Sequence, residues 1–308
     1  MSSPYYRPSG QAPMRGKCTV ALFAAGTLPM AWLYGWATSW ANPLLNPFIA
    51  VLMASCLAML VKGAAAAGKI RHPRWMGRAG ATVGLLAWYL QWAIWLAHRE
   101  QVSLQPYAPG ALAESVVQLT THPWEMLAAG RRIVTNSTAL AASVSLLFWV
   151  VELGLYLLPP AFAGAARSRA PFCEATQRWA RMVDVGVQFA FVAHPEEVRR
   201  RLERNPKELV SVLVPCAHDA PMHAELTLYQ CPGADSFATL TNWIMAPSGG
   251  EEQRDMARML AKQPDEIEVV FQADDPVVEL LRLPIPDTDT LIREWKQAAL
   301  RLSANTME

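Results

Sequence analysis

Four runs of this chain are apolar on nearly every helical face: 20–39, 47–67, 80–97 and 139–163. A helix rises about 1.5 Å per residue, so about 20 residues cross a hydrocarbon core, and each run reaches or nears that length. A helix buried in a water-soluble protein keeps a polar stripe, and these runs have none. They predict four transmembrane helices. Beyond residue 170 the period changes. Val183, Val185, Val187, Phe189 and Phe191 alternate with polar or small residues, as in a strand with one buried face. Further strands are expected at 209–214, 225–230, 237–245 and 267–272, with the third and fourth of the five paired as a hairpin around Cys231-Pro232-Gly233. Pro195 suits a first helical position, Glu196 and Glu197 suit the positive end of the helix dipole, and the arginines from Arg199 to Arg204 suit the other end. Helices are also expected at 251–262 and 288–302. Strands and helices do not alternate regularly, so the fold class is a membrane protein, a four-transmembrane-helix bundle followed by a small soluble α+β domain.

Charge sharpens the division. The chain is 52% hydrophobic and 17% charged, but residues 1–99 hold no Asp or Glu, whereas residues 170–308 hold 22 acidic against 14 basic side chains. Arg7, Arg15 and Lys17 precede the first run, and Lys62 near the end of the second run is followed by Lys69, Arg71, Arg74 and Arg78 before the third. Acid-free basic segments stay in the cytoplasm. The reading is therefore a cytoplasmic tail at 1–19, a transmembrane region at 20–163 with an external link at about 98–138, and a cytoplasmic domain at 170–308, both termini inside. Within the external link, 112–134 has the irregular apolar spacing of one or two helices lying on the membrane surface. A cleaved signal peptide is the rival account of the first run, but Trp32, Tyr34 and Trp36 make it longer and more aromatic than such segments and fit an interfacial belt. The Ala-, Trp- and Arg-rich composition resembles that of bacterial membrane proteins, which points to the inner membrane. Net negative charge in the second half argues against nucleic-acid binding.

Chemistry is sparse. Glu152 is the only acidic residue inside an apolar run, and a carboxyl at that depth must be protonated, paired or wetted. Gln91, at similar depth in the third run, is the expected partner, because an amide can both donate to and accept from a carboxyl. Cys216, His218, His223 and Cys231 offer zinc-type ligands without paired-knuckle spacing, so no metal and no cofactor is expected. The odd cysteine count and the lack of Cys-x-x-Cys argue against a disulfide framework and for a reducing compartment. A Cys216–His223 pair is the one nucleophile that can be assembled, and no catalytic motif accompanies it. The basic run 199–204 alternates with acids and reads as a solvated helix face. Asn136-Ser137-Thr138 matches a glycosylation sequon but abuts the fourth run. The expected function is a non-enzymatic, membrane-anchored interaction or regulatory protein, its partners being the bilayer and another protein or a second copy of itself. The alternative is a small transporter or proton-coupled component centred on Glu152.

Overall fold

The computed structural model describes residues 4–40, 45–100, 109–121, 139–216, 220, 222–231, 233, 235–247, 269–284 and 288–305. The helix expected at 251–262, His218, the sequon and the part of the link beyond 121 lie outside the described residues. The chain forms two compact units, one comprising Pro8–Ala170 and the other Met1–Arg7 with Pro171–Glu308.

The first unit contains α1 (Met14–Ala25), α2 (Thr27–Trp40), α3 (Asn46–Ala67), α4 (Pro73–Glu100), α5 (Pro109–Thr121) and α6 (Ala139–Arg169). Three stretches are long and apolar enough to cross a membrane: Met14–Gly35, Asn46–Ala67 and Trp149–Arg169. Large apolar side chains stand on the outside, with Leu22 71%, Phe48 73%, Met59 73% and Phe162 69% exposed, a surface that water would penalise and lipid would not. The inside is built from smaller groups. On α3 the buried face is Ala50, Met53, Ala54, Leu57, Val61, Ala64 and Ala65, spaced three and four apart.

The first helical run is interrupted where the sequence suggested one span. Pro29 has no N–H to return to Ala25, and the turn tightens instead: Gly26 N donates to Phe23 O at 3.0 Å and Thr27 Oγ1 to Ala24 O at 2.7 Å. Below α1, Arg71 ties the leading segment to the α3–α4 turn. Its amide donates to Gln11 O at 2.8 Å, its guanidinium to Gln11 Oε1 at 2.6 Å, and its carbonyl accepts from Gly10 N at 3.0 Å. The two basic segments thus sit at one end of the bundle.

The closest helix crossing joins α4 to α6. A Cβ on Gly84 would stand 1.9 Å from Tyr156 O, and one on Gly80 would stand 2.5 Å from Pro160 O. The double proline explains the acceptor. Residue 160 has no N–H, so the Tyr156 carbonyl lacks its helical donor, and it lies against the bare Cα of Gly84, where a weak Cα–H···O contact suits it. The helix continues through Pro159 and Pro160 to Arg169 rather than ending near 163. Within the link, the described residues form α5, held to α4 by Tyr89, whose hydroxyl donates to Val116 O at 2.9 Å and meets the Thr120 hydroxyl.

The second unit holds the short hairpin β1 (Phe172–Cys173) and β2 (Arg178–Trp179), then β3 (Arg181–Ala190), α7 (Pro195–Arg204), a 3-10 turn (Pro206–Glu208), α8 (Leu209–Val212), β4 (Met222–Gln230), β5 (Ser236–Pro247), β6 (Val269–Leu283) and α9 (Thr288–Asn305). The sheet is antiparallel in the order β3-β4-β5-β6, with β4 and β5 paired as the expected hairpin. Val185, Val187 and Phe189 of β3 join Leu226, Leu228, Leu240 and Leu281 in the core, capped by Leu202 of α7 and by Leu291, Ile292 and Trp295 of α9. The strand expected at 209–214 is instead a helical turn. Leu209 and Leu213, four apart, both reach the core, and Leu213 N donates to Leu209 O at 3.1 Å, which closes the helical turn. The strand expected at 267–272 runs on to Leu283, and the residues about Pro276 carry register shifts where a proline cannot donate to the ladder. The N-terminus adds to the far edge of β6. Tyr6 N donates to Leu280 O at 2.9 Å and Arg282 N to Pro4 O at 2.8 Å, so residues 4–6 cover a strand edge that would otherwise be open.

Candidate functional site

Within the helical unit, three helices converge on Glu152. It projects from α6, and α2 brings Tyr34 while α4 brings Trp88 and Gln91. Tyr34 OH donates to Glu152 Oε1 at 3.0 Å, Gln91 Nε2 to the same oxygen at 3.0 Å, and Trp88 Nε1 to Oε2 at 3.3 Å. The structure thus brings together Glu152 and Gln91, the two residues singled out from the sequence. Gln91 is itself oriented, because its Oε1 accepts from the fully buried Tyr156 hydroxyl, one turn after Glu152 on α6. The amide therefore lies between a donor and an acceptor, and only one of its two flips satisfies both. The rings of Tyr34 and Tyr156 meet edge to face at 6.0 Å, and Trp88 meets Trp149 likewise at 5.9 Å.

The chemistry of this arrangement is that of a carboxyl closed by donors. An indole and a primary amide nitrogen donate only, a phenol donates here, and both carboxyl oxygens are engaged. Each such bond inside a bilayer contributes about 0.6–1 kcal/mol, so the set is worth about 2–3 kcal/mol of helix association. Sequence reasoning missed Tyr34, Trp88 and Tyr156. Spacing was the available signal for two of them: Trp88 and Gln91 are three apart, and Glu152 and Tyr156 four apart, so each pair shares a helix face. Tyr34 had been assigned to an interfacial belt. Trp32, 42% exposed, keeps an outward position, while Tyr34 turns into the bundle.

Among the described residues, Cys216, His223 and Cys231 do not assemble into one site. Cys231 is joined to Cys173 by a disulfide, which overturns the expectation of unpaired thiols. The pair escaped notice because its partners are 58 residues apart and leave no local spacing. His223 is buried with Nδ1 2.9 Å from Ala220 O and Nε2 3.2 Å from Gln188 Nε2. A proton on Nδ1 satisfies the carbonyl and leaves Nε2 to accept from the amide, so both ring nitrogens are committed. The Cys216 amide donates to Gln188 O at 2.9 Å, and burial pushes its thiol above the usual range, away from the thiolate a nucleophile requires. Among the described residues no group of three His, Cys, Asp or Glu side chains is placed to hold a metal.

The basic run is only partly a solvated face. Arg199 Nε donates to Val277 O at 2.9 Å and its Nη2 to Pro276 O at 3.2 Å, while its Nη1 pairs with Glu196 at 3.0 Å, pinning α7 to β6. Arg201 pairs with Glu208, and Arg200 and Arg204 face outward. A shallow depression of about 830 Å³ lies along this helix, lined by His194, Glu197, Arg200 and Arg204 among others. No family model, curated protein or solved structure matches the chain.

Proposed function

We propose that the chain is a four-span membrane protein, both termini cytoplasmic, whose α+β domain binds a protein partner, and that the Glu152 cluster locks the bundle carrying it. The observation that carries this reading is the closure of the Glu152 carboxyl by donors from α2 and α4, which engages both carboxyl oxygens inside the bundle. Topology has separate support. The N-terminal strap and residues 171–308 belong to one unit, so the chain crosses a membrane an even number of times between them. Three stretches qualify by composition, and we add α4, whose sequence is apolar over 80–97, as the fourth. Both acid-free basic segments lie at the end of the bundle from which that strap leaves, and they outweigh the single disulfide in assigning the side, because a disulfide can form transiently in the cytoplasm.

The test uses two substitutions and one pull-down. Glu152→Gln keeps the shape and an acceptor oxygen, so the protein should insert, fold and retain its partner. Glu152→Leu loses the donors' common acceptor and should weaken helix association by about 2–3 kcal/mol. Material solubilised in mild detergent should co-purify a stoichiometric protein or form a defined homo-oligomer, and deletion of 171–308 should abolish this. A cellular phenotype lost with Glu152→Gln at unchanged protein level would replace this reading with the proton-coupled one, since an amide cannot cycle a proton.

A further inference from the structure

Cys173 and Cys231 form the one covalent tie of the α+β unit, and its setting is specific. Cys173 lies in β1, a strand of two residues paired only to the two of β2, and Cys231 follows the last residue of β4. Both sulfurs are buried, 2% and 3% exposed, in a small apolar cluster with Phe237, against which Tyr6, Ala180 and Tyr229 pack. Tyr6 stacks edge to face on Phe237 at 5.1 Å and belongs to the strap held on β6 by two backbone hydrogen bonds and by Tyr5 OH, which donates to Glu203 at 2.7 Å. The bond therefore lies beside a minimal hairpin and the strap formed by residues 4–6.

We propose that Cys173–Cys231 is a reversible redox clasp: a dithiol in the unstressed cytoplasm that a low-molecular-weight disulfide oxidises, fastening the β1–β2 hairpin to the sheet, with Tyr6 as the cover that controls access. This rests on the cytoplasmic reading above, because there a disulfide is a transient, responsive state rather than a permanent staple. The chemistry balances as exchange. One protein thiolate attacks the small disulfide and releases one small thiol; the second then attacks the mixed disulfide and releases the other. Two protein S–H bonds and one small-molecule S–S bond are lost, one protein S–S bond and two small-molecule S–H bonds form, and no other oxidant is needed. Tyr6 is one of three side chains packed against the bond's cluster, and lifting its ring gives up the edge-to-face contact with Phe237.

The experiment uses the full chain with Cys18, Cys56 and Cys216 replaced by alanine, so that only the pair reports. In intact cells, maleimide trapping followed by a mass-shift gel should show two free thiols at rest, none after a brief pulse of diamide, and two again on recovery. A reporter fused at the C-terminus should be active in the cytoplasm. A pair oxidised at rest overturns the clasp; an external reporter then shows that topology was the error, and a cytoplasmic one shows a permanent staple. In purified protein equilibrated over glutathione ratios, the pair should pass from oxidised to reduced within the series, and a bond intact at the most reducing ratio again overturns the proposal. Tyr6→Ala should speed reduction at least fivefold without changing the final ratio, whereas an unchanged rate removes the strap from the proposal.

Discussion

Replacing Gly84 by alanine adds one methyl group at the tightest point between α4 and α6. Its Cβ would stand 1.9 Å from Tyr156 O, whereas a comfortable carbon–oxygen contact is about 3.3 Å, so the backbones must part by about 1.4 Å. Overpacking of this kind costs about 1–3 kcal/mol in itself. The shift also reaches the Glu152 cluster, because Trp88 and Gln91 sit one and two turns further along α4 and donate over 3.3 and 3.0 Å. A movement of 1.4 Å takes both beyond bonding distance and forfeits about 0.6–1 kcal/mol each, for a total of about 2–5 kcal/mol. Gly154→Ala is the control, since nothing lies within 4 Å of a Cβ there and the added methyl should leave stability unchanged or raise it by up to about 1 kcal/mol. Unfolding of the detergent-purified protein by sodium dodecyl sulfate, followed by tryptophan fluorescence and circular dichroism, measures both. In a Glu152→Leu background the loss from Gly84→Ala should shrink, because the hydrogen bonds are already gone. Equal stability of the two glycine variants, or strict additivity with Glu152→Leu, would refute the account.

Tyr5 should report strap release at high pH. Burial, followed by its hydrogen bond to Glu203, pushes the phenol up to about 12, so the folded state favours the protonated form; this contribution is complete below pH 10 and disappears as pH rises through about 12. Tyr5→Phe should abolish the corresponding step in tyrosinate absorbance and in near-ultraviolet circular dichroism. Reducing Cys173–Cys231 opens a closure spanning 58 residues, which should lower the unfolding stability of the α+β unit by about 4 kcal/mol on the chain-entropy account, read as a drop in denaturant midpoint with dithiothreitol. Arg199→Ala should cost about 1–3 kcal/mol by the same assay, because the carbonyls of Pro276 and Val277 lose a charged donor, while Arg200→Ala on the outward face should be nearly silent.

Properties that depend on a single element could be read from composition and period. The length and uniform apolarity of 47–67 are enough to mark α3, since a membrane asks only for a long enough apolar helix. The end charges and Pro195 delimit α7, and the alternation from Val183 to Phe189 marks β3, because burial of one strand face imposes a period of two. The nomination of Gln91 beside Glu152 followed from depth, as two polar groups in hydrocarbon seek each other. Shorter apolar runs carry no such information. The run 209–214 fits a strand or a helix equally, and the choice fell to where Leu209 and Leu213 meet the core. The strand expected at 267–272 runs past Pro276 instead, because the ladder continues through a register shift and β5 and the strap keep pairing beyond it. The inward turn of Tyr34, the approach of Gly84 to a carbonyl freed by Pro160, and the union of Cys173 with Cys231 each depend on two segments distant in sequence. Such contacts are set by three-dimensional packing, which no local pattern encodes, so they were decided by the tertiary structure alone.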